Sequence, residues 1–240
     1  MYIVLIAILT VMASAVGTMT GFGTSTIMVP ILLLVYPAPQ VILFVCIIHW
    51  FGNLWKLLLF RRGFRWKLVL YFGLPGIAAA YLGASLMFNI SPGVLSRILG
   101  GFMIIYVVFL ILKGSFKVEQ SMATSVCGGA LSGFLAGIFG IGGAVRAMFL
   151  SAFNLPKAVY IATAGAIAIF VDTTRLATYI VSGARLESVL LWTMPLFIVA
   201  SFVGAQIAKR IVNKIPQKHF RPVVAFFLFL VALKLLFFPA

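Results

Sequence analysis

Asp172 and Arg175 stand three residues apart in an apolar run spanning residues 157 to 181. On a helix that spacing puts both on one face. A carboxylate and a guanidinium so placed can neutralise each other. Alternatively, the acid can relay a proton while the arginine holds an anion. Asn53 and Lys56 repeat the spacing in an earlier run, without the acid, and His49 lies four residues before Asn53 on the same face. An imidazole there can titrate near neutral pH or serve as a hydrogen-bonding packing residue. Arg146 is a third cation in apolar surroundings. A charge at the bilayer centre costs about 2.5–3.5 kcal/mol on insertion scales. Arg146 must therefore face a bound anion or a partner, and Asp172 is the candidate partner. Lys56 is little more than a turn from Arg61, so its amine can also snorkel to the interface.

Two glycine clusters accompany these charges. Gly21-Phe22-Gly23 precedes Thr24, Ser25 and Thr26, and Gly140-Ile141-Gly142-Gly143 precedes Arg146. A helix restarting after such a break aims its first N–H groups at the break. Those groups and the helix dipole favour an anion, and glycine lets backbone approach a ligand. The competing reading is close helix packing, which small residues also serve in membranes. The predicted binding set is Gly21, Gly23, Thr24, Ser25, Gly140, Gly142, Gly143, Arg146 and Arg175, with Asp172, Asn53 and Lys56 as coupling or ion-pairing residues. Cys46 and Cys127 are far apart, and no Cys/His cluster has metal-ligand spacing. No nucleophile–base pair stands out either, so no enzyme, cofactor or metal is expected.

The elements that must position these residues are membrane helices. The chain has 240 residues, 64% of them apolar and 9% charged, and several uncharged runs are long enough to cross a bilayer. The net charge of +15 lies mostly in short loops, where it orients a membrane protein rather than binding nucleic acid. Ala13-Ser14-Ala15 is only faintly like a signal cleavage site and lacks a basic lead, so no cleavage is expected.

Eight blocks follow from apolar runs and punctuation: 2–36, 39–60, 67–88 and 93–112, then 121–155, 157–181, 188–208 and 220–238. A shift of 119 residues lays Gly21 on Gly140, Gly23 on Gly142, Pro37 on Pro156, Asn53 on Asp172 and Lys56 on Arg175. One further residue of slip lays Gly63 on Gly183 and Pro75 on Pro195. The chain therefore reads as one domain, 1–240, built from repeats 1–118 and 119–240.

The first block of each repeat is too long for a span, since about 35 residues of helix reach roughly 52 Å against a core of about 30 Å. A re-entrant hairpin, broken at its glycines, solves this. Three full crossings per repeat then invert the second repeat. Arg61, Arg62, Arg65, Lys67, Lys113, Lys117, Lys157, Lys209, Arg210, Lys214, Lys218 and Arg221 fall on one side, and only Arg97, Arg185 and Lys234 on the other. Trp55, Trp66 and Trp192 sit near block ends, as interface anchors do, with Trp50 deeper; His219 lies in a basic loop. The fold class is thus an all-α polytopic membrane protein of two inverted repeats, each a glycine-broken hairpin plus three transmembrane helices.

The sequences TGFGTSTIMVPILL (Thr20–Leu33), AGIFGIGGAVRAMFL (Ala136–Leu150) and LPKAVYIATAGAIAIFVDTTRLATYIVSG (Leu155–Gly183) resemble the TauE/SafE sulfite-exporter family, the 4-toluene sulfonate uptake permeases. The resemblance implies transport of sulfite, a sulfonate or another organosulfur anion across a bacterial inner membrane. The chain departs from the family pattern at Ala144-Val145-Arg146, and Phe149 stands where the first copy has Pro30. It shows no cysteine motif of the kind related thiosulfate transporters use. The expected activity is a secondary permease for a small anion, with an anion channel as the alternative. The expected partners are the anion and the lipid bilayer; self-association is left open.

Overall fold

The computed structural model describes residues 2–60, 63–112, 120–151 and 153–211, together with 229, 232, 233, 236 and 237. The block at 220–238, with Lys234, lies almost wholly outside the described residues. So do Arg61, Arg62, Lys113, Lys117, Lys214, Lys218, His219 and Arg221.

The described chain is helical. The first block forms α1 (Tyr2–Thr20) and α2 (Ser25–Leu32), with the break where the glycines predict it. Next come α3 (Ala38–Leu59), α4 (Trp66–Met87) and α5 (Pro92–Leu112). The chain continues with α6 (Met122–Phe139), α7 (Gly143–Ser151), α8 (Lys157–Val181), α9 (Ser188–Trp192) and α10 (Met194–Ile211). The block at 188–208 is therefore two helices. Pro195, near the start of α10, has no N–H to continue the ladder from α9, and Thr193 Oγ1 bonds back to Val189 O at 2.6 Å.

Among the described residues, six helices are long and apolar enough to cross a membrane: α1, α3, α4, α6, α8 and α10. The two arms beside each break are thus unequal. The first arms have 19 and 18 residues, and the returning arms 8 and 9. The returns fold back closely. Gly23 N donates to Gly17 O at 3.1 Å. A Cβ added at Gly142 would overlap Ser132, and one at Gly128 would strike Phe149, so α7 runs back along α6.

Helix contacts come in exchanged pairs. α4 packs on α6 and α10 on α1; α4 packs on α8 and α10 on α3; α3 meets α8. Along the α3–α8 crossing, Lys56 lies against Gly165, Asn53 against Asp172 and Cys46 against Arg175, so the two helices run in opposite directions. At one end, Phe60, Phe64, Ala158 and Ile211 share an apolar cluster, and Arg65 N donates to Thr163 Oγ1 at 3.1 Å. Exposed Arg65, Lys67, Lys157, Lys209 and Arg210 are thereby close in sequence to one end of the molecule.

Much of the glycine serves packing. Cβ atoms at Gly129, Gly133 and Gly137 would fall on the backbone of Phe72, Gly76 and Ala80 in α4. Their spacing of four keeps them on one face, and they bring α4 and α6 into backbone contact. Trp66 and Trp192 are exposed, as interface anchors are. Trp55 instead donates from Nε1 to Ser201 Oγ at 3.1 Å and packs edge-on against Phe202, joining α3 to α10.

Candidate functional site

The two glycine breaks meet. A Cβ at Gly143 would overlap Phe22 O, placing the start of α7 against the first break. Gly21, Gly23 and Gly140 have positive φ of 78°, 81° and 74°, a backbone that side-chain-bearing residues rarely adopt. Gly140 ends α6 in this conformation, its N–H reaching Ala136 O at 2.9 Å. Gly142 and Gly143 are required by contact instead, one with the arm of its own hairpin and the other with the opposite break.

Beside this junction α3 and α8 cross, and their polar residues form one network. Asn53 Nδ2 donates to Asp172 Oδ2 at 3.0 Å, joining two residues 119 apart in the sequence. His49 Nδ1 lies 2.7 Å from the same oxygen. Arg175 Nη1 pairs with Asp172 Oδ1 at 3.4 Å, and Arg175 Nε donates to Cys46 Sγ at 3.2 Å. Lys56 Nζ donates to Asn53 Oδ1 at 2.9 Å. Its residue is only 4% exposed, so Lys56 points inward and does not snorkel. Tyr179 OH donates to Gly137 O near the second break and stands under the Arg175 guanidinium, 5.9 Å from ring centroid to Cζ.

Arg146 is buried in α7, and Asp172 is not its ion-pair partner; among the described residues Asp172 pairs with Arg175 and His49. Arg146 Nε has no hydrogen-bond partner. Among the described residues, the other buried side-chain atoms without one are Thr18 Oγ1, Thr24 Oγ1, Ser25 Oγ, His49 Nε2 and Arg175 Nη2. Several lie at the breaks. His49 Nε2 lies against Gly23, Arg175 Nη2 is 3.7 Å from a Cβ built on Gly140, and Thr24 Oγ1 is 3.5 Å from one built on Gly52. Thr26 does not join them, because its hydroxyl bonds Phe22 O at 2.7 Å.

Such orphaned buried polar atoms are unusual in native proteins and call for a ligand, an ion or water. The charges point the same way. Lys56, Arg146 and Arg175 are buried, while Asp172 is the buried carboxylate among the described residues. An excess of buried positive charge is costly unless something negative enters.

A family model described as sulfite exporter TauE/SafE matches residues 6–235. The chain belongs to the TauE/SafE family. It is therefore an integral, multi-pass membrane protein of a transporter family, consistent with its six apolar helices. No curated protein matches it. Within this TauE/SafE chain, of the predicted set Gly23 meets Gly143 and Arg175 lies by Gly140, while Thr24 and Ser25 follow the first break and Arg146 the second. Gly21 packs on Tyr160 and Gly142 on its own hairpin arm, and Asn53, Lys56 and Asp172 form the adjoining network. Sequence reasoning placed His49 outside that set. The i, i+4 relation to Asn53 was the available signal, but nothing in the sequence shows that His49 meets Gly23. Cys46 and Tyr179 carried no signal beyond their apolar context.

Proposed function

We propose that this protein is a secondary permease for a small oxyanion of the sulfite, sulfonate or organosulfur class, in a bacterial inner membrane. The observation that carries the reading is the excess of buried cations beside unpartnered donors at the junction of the two breaks. Arg146, Arg175 and the hydroxyls of Thr24 and Ser25 hold the anion, with the N-terminal ends of α2 and α7 facing it. Asp172 keeps Arg175 in place. The substrate crosses chemically unchanged.

The opposed directions of α3 and α8, with the exchanged packing pairs, support two inverted repeats. In that reading α1–α2 and α6–α7 are re-entrant hairpins entering from opposite faces, and the repeats rock against each other to give alternating access. A membrane-impermeant thiol reagent checks the topology. Cysteines replacing Arg65 and Arg210 should label from the same side, and one replacing Arg185 from the other. Opposite labelling at 65 and 210 would overturn the inversion.

Transport is tested with the purified chain in liposomes given sulfite, sulfate, methanesulfonate and acetate. Saturable counterflow of a sulfur oxyanion is expected. Arg146→Ala should raise the half-saturation concentration about ten- to a hundredfold, the loss of one charge-assisted hydrogen bond of roughly 1.5–3 kcal/mol. Unchanged half-saturation in a folded Arg146→Ala protein would remove Arg146 from the site. A high unitary conductance in planar bilayers would instead make the protein an anion channel.

A further inference from the structure

The position of His49 goes beyond a binding role, and the inference that follows rests on the permease reading above. His49 Nδ1 is 2.7 Å from Asp172 Oδ2. A carboxylate oxygen only accepts, so Nδ1 carries the hydrogen and donates it. Asn53 Nδ2, 3.2 Å from that Nδ1, gives its own hydrogen to Asp172 Oδ2. The tautomer is thereby set by the partner of the other nitrogen. In the neutral ring Nε2 holds a lone pair, and this atom is buried, unpartnered and against Gly23.

A lone pair there repels an oxyanion at the break. A second N–H there would bind one, beside the free hydroxyls of Thr24 and Ser25 at the start of α2. The surrounding charges make proton and anion interdependent. From α3 come Lys56 and the Cys46 thiol, from α8 Asp172, Arg175, Tyr160 and Tyr179, and from α7 Arg146. α10 presents Ser201, whose hydroxyl takes the Trp55 indole N–H. A proton added alone places another cation among Lys56, Arg146 and Arg175, opposed by one carboxylate. An anion added alone meets the Nε2 lone pair.

We infer that His49 takes a proton at Nε2 as the anion binds between Gly23 and Arg146, and releases it when the anion leaves, so that anion and proton move together. The step is a proton transfer from hydronium or water-borne acid to the imidazole lone pair and back. No covalent bond to the substrate forms or breaks.

The test uses the full chain in liposomes containing a trapped pH-sensitive dye, with methanesulfonate as probe. This sulfonate has no acid form near neutral pH, so any proton that moves is carried by the protein. Wild-type uptake should acidify the lumen in step with the anion. Its half-saturation concentration should rise about tenfold per pH unit at the alkaline end, as linkage requires when one proton is bound with the anion. His49→Gln places an amide that cannot carry the proton; acidification and the pH slope should both be lost, whatever rate of counterflow remains.

Wild-type uptake without acidification overturns the assignment and leaves the permease standing. A folded His49→Gln protein that still moves a proton with each anion also overturns it and puts the proton on Asp172. If His49→Gln does not fold, His49→Asn takes its place in the same assay, with the same two outcomes. No protein-dependent movement of any anion in the panel by wild type overturns the permease reading, and this inference with it.

Discussion

Asp172→Asn should leave far less folded protein than wild type. The carboxylate lies between Arg175, His49 and Asn53, and it is the buried acid set against three buried cations. Removing one partner of a buried ion pair costs about 3–5 kcal/mol, because the other charge remains desolvated and unopposed. That is a large share of the roughly 5–15 kcal/mol that holds a typical domain together. The asparagine keeps an oxygen to accept from Asn53 and His49, so the loss reports charge rather than hydrogen bonding.

The double change Asp172→Asn with Arg175→Gln removes both charges. It should recover most of the stability, since a buried pair contributes little net against neutral replacements. Thermal midpoint and monodisperse yield in detergent measure both effects. Transport should be lost in the single and the double variant alike, because Arg175 also presents its unpartnered Nη2 to the second break. A single variant as stable as wild type would show that Asp172 does not balance these cations.

The second large effect is expected at Gly143. It begins α7 with ordinary helical backbone, so alanine there is not strained by conformation. It is obstructed by contact, since its Cβ would fall on Phe22 O of the opposite break. Backbone cannot swing aside as a flexible side chain can, so Gly143→Ala must push the two breaks apart. Overpacking of this kind costs about 1–3 kcal/mol, and a displacement near 1 Å at a working site can cost on the order of a hundredfold in rate. Counterflow should fall by about that factor while the protein remains monodisperse. Gly73→Ala is the control: it lies in α4 with nothing within 4 Å of an added Cβ. Alanine should be neutral or stabilising there by up to roughly 1 kcal/mol. Equal transport by Gly143→Ala and wild type would show that the contact between breaks is dispensable.

Arg146 illustrates how a sequence can name a residue without naming its partner. Its charge in an apolar run demanded compensation, and Asp172 was the available acid in the membrane blocks. Arg175 takes Asp172 because it shares helix α8 with the acid three residues away, whereas Arg146 approaches from a separate short helix. That leaves Arg146 Nε buried without a hydrogen-bond partner. Lys56 shows the reverse. Proximity to Arg61 in sequence suggested the interface, yet its stem turns inward to Asn53.

The sequence by itself determined the membrane class, the two breaks and the helix blocks at 39–60, 67–88, 93–112 and 157–181 to within a residue. The blocks at 2–36, 121–155 and 188–208 missed a helix end by three or four residues, and the block at 220–238 lies almost wholly outside the described residues. The class, the breaks and the blocks are readable because hydropathy, helix period and the conformational freedom of glycine act locally, on neighbours along the chain. It also identified most of the residues at the junction, since a charge or a glycine cluster inside an apolar run is conspicuous without coordinates. Only the tertiary structure decided which of these residues touch. The division of glycines between helix packing and the breaks depends on α4 and α6, more than fifty residues apart, and the meeting of Gly143 with Phe22 on segments more than a hundred residues apart. The place of His49 is likewise tertiary, because the first break brings Gly23 to one ring nitrogen and α8 brings Asp172 to the other.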